Sequence, residues 1–387
     1  MSTISKEILN RLEKIAPASS CLHEPTFNGN EWNYVKQCID TNWVSSVGKF
    51  VDRFEAMLAE ITGASYVTAI VNGTSALHLA LQIAGVKKDD EVLMPAMTFV
   101  ATANAVIYCN AIPHFVDISQ QTLGIDSARM DLYLSENAEK REDGTTWNKN
   151  TNQRISACIP MHCFGHPVAM TPLNDVCKKW NITIIEDAAE ALGSYYQQQH
   201  VGNIGKLSII SFNGNKITTT GGGGAILTND QTLAQKAKHL STTAKIAHPF
   251  EIAHDEIGFN YRMPNINAAL GCAQLETLPN FLQQKRVLAK QYQTLFNDMS
   301  EVNIFNEPAE SRSNYWLNTL ILKDQYSALR NEIIELTNTH KIMTRPAWNL
   351  LPELTMYQHC PSMNLPIAKD LQQRIVCLPS TPGLELN

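Results

Sequence analysis

The chain has 387 residues, 44% hydrophobic and 18% charged, with a formal net charge of -6. That length and apolar content suit two domains around a sizeable core, and the acidic balance excludes the broad basic surface that nucleic acid or an anionic membrane requires. Nine cysteines without a Cys-x-x-Cys pair, a charged N-terminus and the absence of any run of about 18 apolar residues predict reduced thiols, a cytoplasmic location and no membrane span.

Ile4, Ile8, Leu12 and Ile15 recur at helical spacing before a Pro-Ala-Ser-Ser break, and a second helix is predicted over 31–41. Phe50, Phe54, Met57, Leu58 and Ile61 predict a third, closed by Gly63, so residues 1–62 read as an N-terminal helical arm feeding the main domain. From Tyr66 onward, β-rich runs alternate with helical segments, which predicts an α/β domain over 63–262 built on a mostly parallel sheet. Its seven strands are expected near 66–71, 91–94, 112–116, 155–159, 182–186, 207–211 and 224–228. The polar stretch 136–153 reads as an exposed insertion. After Pro264, two helices broken at Pro279 lead to a smaller α+β domain, the whole covering 263–387.

Four stretches carry chemistry-bearing residues. Val71-Asn72-Gly73-Thr74-Ser75 joins the first strand to a helix, and such a helix N-terminus suits a phosphate, although a plain helix cap uses the same residue types. Asp187 follows an apolar strand at the edge where ligands of open α/β sheets sit; it reads either as a solvated loop acid or as the partner of a protonated heterocyclic nitrogen. Lys216 lies between two predicted strands, flanked by small residues and the run Gly221 to Gly224; it reads either as a surface lysine or as a Schiff-base amine for a carbonyl ligand. His162-Cys163-Phe164-Gly165-His166 reads as a structural turn rather than a metal site, since no second Cys/His cluster accompanies it.

Together the Gly73-Thr74-Ser75 turn, Glu186-Asp187-Ala188-Ala189, Ser211-Phe212-x3-Lys216 and Gly258-Phe259-Asn260-Tyr261-Arg262-Met263 resemble the DegT/DnrJ/EryC1/StrS-type sugar-nucleotide aminotransferases, in order and spacing, from about residue 30 onward. The resemblance implies the pyridoxal 5'-phosphate-dependent transferase fold type I, with a large seven-stranded domain and a smaller C-terminal one, acting as a homodimer with shared active sites. It implies that Lys216 forms the Schiff base and moves protons, that Asp187 pairs the ring nitrogen, that Phe99 stacks on the ring, and that Thr74, Ser75 and Ser211 hold the phosphate. By the same analogy Asn260 reaches the phosphate of the partner subunit with Arg262 close by. Tyr315, Arg345 and Trp348 are the candidates for the sugar pocket, with core packing as their alternative.

Two positions depart from the common pattern. Glu190 stands where many relatives have Gln or His facing the cofactor's ring hydroxyl, and Gly222 replaces an acid. With Ser-Phe-Asn-Gly-Asn-Lys and Trp43-Val44-Ser45-Ser46-x-Gly48 they resemble the subgroup that aminates UDP-linked 4-keto-6-deoxy-N-acetylhexosamines, with L-glutamate as donor. The competing expectations are a GDP- or dTDP-linked keto sugar of the perosamine type, a free cyclitol ketone, and a non-catalytic regulator or scaffold of the same fold. Intact Lys216 and Asp187 speak against the last.

Overall fold

The computed structural model describes residues 1–384. Three helices open the chain, α1 (Thr3–Leu12), α2 (Glu31–Asp40) and α3 (Lys49–Thr62), the last closed by Gly63 at φ 73°, the left-handed cap that only glycine adopts without strain. There follow β1 (Tyr66–Ile70), α4 (Gly73–Ile83), β2 (Glu91–Pro95), α5 (Val100–Tyr108), β3 (Ile112–Val116), α6 (Ser127–Asn137), β4 (Ile155–Cys158) and α7 (Met170–Lys179). Then come β5 (Thr183–Asp187), β6 (Leu207–Ser211), β7 (Gly224–Thr228) and α8 (Gln231–Ser241).

All seven expected strands join one sheet, in the order β1-β7-β6-β5-β4-β2-β3. Only β7 runs against the rest, pairing antiparallel with both neighbours. The end of β1, β2, β5 and β6 and the start of β7 therefore meet at one edge. Helices cover both faces, so strands such as β2 are buried along their whole length, which is why they read as continuous apolar runs.

The stretch 136–153 is not a free insertion. Ala138–Lys140 pairs antiparallel with Thr146–Asn148, and Asn148 Nδ2 donates to Glu91 Oε2 at 2.9 Å, where Thr151 and His114 also bond. Glu91 is fully buried at the start of β2, and a buried carboxylate without donors is costly, so the hairpin is held down by the acid it satisfies.

The expected break at Pro279 is also absent. A single helix, α9, runs from Asn265 to Phe296 with Pro279 inside. Proline removes one donor, a penalty of about 3 kcal/mol. Leu275, Leu278, Phe281 and Leu288 are all buried on either side, and each contributes roughly 1.5–3 kcal/mol. Packing outweighs the local defect.

A four-stranded antiparallel sheet follows, ordered β8-β9-β11-β10, from β8 (Val302–Ile304), β9 (Asn318–Leu322), β10 (Arg345–Pro346) and β11 (Ile375–Leu378), with α10 (Arg330–Thr339) and α11 (Pro366–Gln372). Helix α1 does not feed the main sheet: Ile8, Leu12 and Ile15 pack with Leu288, Tyr292, Leu320 and Val376 against this smaller one.

Candidate active site

A cavity of about 640 Å³ opens at the edge where the strand ends meet, walled on one side by the large sheet and on the other by Trp316, Leu317 and residues 345–349. Asn72 caps α4, its Oδ1 accepting from the Ser75 N–H at 2.7 Å. Gly73 and Thr74 line the cavity, whereas Ser75 is not part of its wall. Ser211, at the end of β6, closes on Gly73 so nearly that a Cβ there would lie 3.0 Å from the Ser211 Cβ. Across from them Gly224 opens β7, where a Cβ would stand 2.6 Å from the Asn72 carbonyl, so only glycine lets this strand pass the turn. Serine, threonine and helix N-terminal groups gathered this closely form a cup suited to a phosphate.

Phe99 follows β2 and caps α5, its ring on the cavity wall and 51% exposed. An apolar ring left half open inside a cavity offers a face for another ring. Below it Asp187 ends β5, buried, with Oδ2 accepting from Thr102 Oγ1 at 2.8 Å and Oδ1 from the Ala189 N–H at 3.2 Å. Burial raises this carboxyl above its ordinary range, while the Thr102 and Ala189 bonds and the charge of Lys216 pull the other way.

Lys216 projects from the loop between β6 and β7, which is anchored by the buried Phe212 ring set edgewise on Phe54 at 5.0 Å. Its Nζ donates to Glu190 Oε1 at 3.1 Å and lies 3.9 Å from the centre of the Trp316 ring. Glu190 Oε2 accepts from the Phe164 N–H at 2.9 Å, and burial pushes this acid up to about 7. Trp316 is itself fixed, its indole N–H donating to the Asn215 carbonyl at 2.7 Å.

Of the sugar-pocket candidates, Arg345 and Trp348 line the cavity, Trp348 stacked on Phe164 at 4.9 Å. Tyr315 does not. It is buried among His166, Glu307 and Arg286 and faces a second cavity, because Asn314 Oδ1 accepts the Trp316 N–H and the left-handed turn at Tyr315, φ 49°, sends the two neighbouring side chains to opposite sides. The cavity residue is Trp316, and its place next to a lysine was hidden by the distance in sequence. Thr102 was likewise unmarked, though a hydroxyl three residues after Phe99 faces inward with it.

Arg262 lies away from the cavity: it is 6% exposed and bonded to Glu55 Oε1 at 2.8 Å. A buried guanidinium needs such a partner. Asn260 is exposed and also outside this chain's cavity wall. Residues 163–165 form a short 3-10 turn, with His162 bonded to Glu186 and to the Val168 N–H. Among the described residues no His, Cys, Asp and Glu side chains cluster as metal ligands, and no helix is long and apolar enough to cross a membrane. All nine cysteines are free.

Residues 25–387 match the profile of the DegT/DnrJ/EryC1/StrS aminotransferase family. The chain belongs to this family. It is 36% identical to the GDP-perosamine synthase of Escherichia coli O157:H7 over 94% of this chain and 93% of that one. It is 31% identical to the UDP-4-amino-4,6-dideoxy-N-acetyl-beta-L-altrosamine transaminase of Campylobacter jejuni, over 74% and 73%. Helicobacter pylori PseC, an aminotransferase of pseudoaminic acid biosynthesis, superimposes with a TM-score of 0.85 at 25% identity, covering 95% of both chains. The fold is that of the type I pyridoxal phosphate enzymes, and the chain is a pyridoxal phosphate-dependent sugar aminotransferase. The cavity fits the cofactor: a hydroxyl-lined cup at a helix N-terminus, a half-exposed aromatic face, a buried acid on the floor and a lysine within one enclosure.

Proposed function

We propose that this DegT-family enzyme transfers the amino group of L-glutamate to the keto carbon of a GDP-linked 4-keto-6-deoxy sugar. The carrying observation is the enclosure of Lys216 with Asp187, Phe99 and Ser211 in one cavity, together with a GDP-perosamine synthase as a relative spanning nearly both chains. A UDP-linked N-acetylhexosamine is the second reading, favoured by the motif resemblance and by the transaminase from Campylobacter, which matches a shorter share of the chain.

Bound pyridoxal phosphate supplies an electron sink for the carbon that exchanges its amino group. Lys216 Nζ would hold the cofactor and, as a free amine, would take and return the proton that moves during the transfer. Asp187 would pair with the ring nitrogen and favour its protonated form, and Phe99 would support the ring. Thr74 and Ser211 would hold the phosphate, with Ser75 behind them in the first turn of α4, and Glu190 would lie beside Lys216. Arg345 and Trp348 border the sugar.

The working form is a homodimer in this reading. Trp32 is 77% exposed and Ile257 89%, with Trp43, Val47, Phe250 and Ile252 also exposed, and these apolar side chains are open to a partner subunit. Asn260, exposed beside this surface, would reach the partner's phosphate cup.

The test is the visible absorbance of the purified protein, followed on adding L-glutamate and then a panel of GDP-, dTDP- and UDP-linked keto sugars. A visible band bleached by glutamate and restored by the GDP-linked sugar is the expected result. Restoration by the UDP-linked sugar alone replaces the substrate, and no band after added pyridoxal phosphate removes the reading.

A further inference from the structure

Glu190 is 3% exposed, and the cation it faces is Lys216, 3.1 Å from Oε1. Among the described residues Lys216 is the cation in salt-bridge contact with it, while Arg345 lines the same cavity without such a contact. Asp187 is a second acid that raises its proton affinity; Cys163 and Cys377 are buried thiols pushed upward by burial and by Glu190 itself; His23, beyond Lys216, is held neutral by burial and by Lys285 and Lys216. Burial pushes Glu190 up to about 7, with Lys216 as the largest opposing influence. The ionised form of Glu190 thus depends on the charge of one neighbour.

Resting on the pyridoxal phosphate reading, we propose that Glu190 accepts the ammonium proton that Lys216 must lose when it bonds the cofactor, and then remains in the site as a neutral carboxylic acid. The step balances. The lysine nitrogen bonds the aldehyde carbon, the carbonyl oxygen leaves as water with two of the nitrogen's protons, and the third passes along the 3.1 Å contact to Oε1. When an incoming amine frees the lysine, Glu190 keeps that proton, so Lys216 is released as a neutral amine able to take a proton from carbon. A glutamine at this position can bond the lysine but cannot store its proton, so the role requires the carboxyl.

Infrared difference spectra at about pH 8, where a carboxyl that titrates near 7 is mostly ionised, test this directly. In cofactor-free protein, Lys216→Ala minus wild type is expected to show a new protonated-carboxyl stretch, absent from Lys216→Ala/Glu190→Gln. Adding pyridoxal phosphate to wild type is expected to raise the same stretch in step with the visible band, and carbon-13 labelling of glutamate carboxyls assigns it without relying on a variant's folding. A visible band with no carboxyl stretch overturns the proposal and leaves the aminotransferase reading intact. No visible band overturns both.

Discussion

Thr102 Oγ1 donates to Asp187 Oδ2 at 2.8 Å, joining the acid at the end of β5 to the first turn of α5, the helix that Phe99 caps. The two residues we propose as ring-nitrogen partner and ring-stacking face are thereby tied to one contact. In Asp187→Asn the amide oxygen can still accept from Thr102, so the pocket keeps its shape, but no anion remains to keep a ring nitrogen protonated. Cofactor affinity is expected to stay within about threefold of wild type while kcat falls about a hundredfold or more. Near-normal turnover in steady-state assays would remove Asp187 from its assigned role.

Phe99 is half exposed before anything binds. Truncating it in Phe99→Ala forfeits little buried area, so the melt of the cofactor-free protein is expected to move by no more than about 0.5 kcal/mol. The Kd for pyridoxal phosphate is expected to rise roughly tenfold through the lost ring contact. Fluorescence titration measures it, and an unchanged Kd would exclude stacking.

Gly224 behaves in the opposite way. A methyl there meets backbone rather than a movable side chain, 2.6 Å from the Asn72 carbonyl. Gly224→Ala is expected to cost about 1–3 kcal/mol and to weaken phosphate and cofactor binding together, because the strand can yield only by displacing the Asn72-Gly73 turn. Calorimetric melting and phosphate titration on the same sample check both effects.

The buried Arg262–Glu55 pair predicts a stability defect. Arg262→Ala leaves Glu55, 12% exposed, with the Ala69 N–H at 2.8 Å and Lys238 at 3.8 Å, so the expected cost is about 1–3 kcal/mol rather than that of a fully uncompensated buried charge. Urea denaturation measures that loss; an unchanged midpoint with a raised sugar KM would return Arg262 to the binding surface.

For Glu190 the sign is set by its raised value. A carboxyl that titrates at 4.5 in the unfolded chain and near 7 in the fold favours folding when protonated, so its contribution is full below 4.5 and is lost as pH rises through 7. Relative to wild type, cofactor-free Glu190→Gln is expected to gain stability between about pH 5 and pH 8, by on the order of 2–3 kcal/mol. Parallel Tm curves for the two proteins would contradict the shift.

The large sheet was legible because each strand is a short apolar run between polar turns, and Asp187 was legible because it stands where such a run ends, whereas Ser211 and Phe99 were reached only through the family resemblance. Local signals failed where a distant partner decides. Pro279 reads as a break until the buried side chains on either side of it are known, the polar hairpin near Asn148 reads as loose until Glu91 is seen beneath it, and α1 gives no sign of the C-terminal sheet that receives it. Tyr315 and Trp316 are equally plausible in sequence; only the turn fixed by Asn314 chooses between them.

Lys285, fully buried in α9, donates to the carbonyls of Trp316 and Ser380 with no acid in salt-bridge contact among the described residues, and burial depresses its amine far below the ordinary lysine range. One buried amine thus ties the Trp316 backbone to Ser380, just beyond the end of β11. Lys216, Asp187 and Phe99 stand on the large domain, whereas Trp316 and residues 345–349 close the cavity from a separately tied C-terminal part, so one wall carries the reactive groups and the other can be redrawn by substitutions remote from them in sequence.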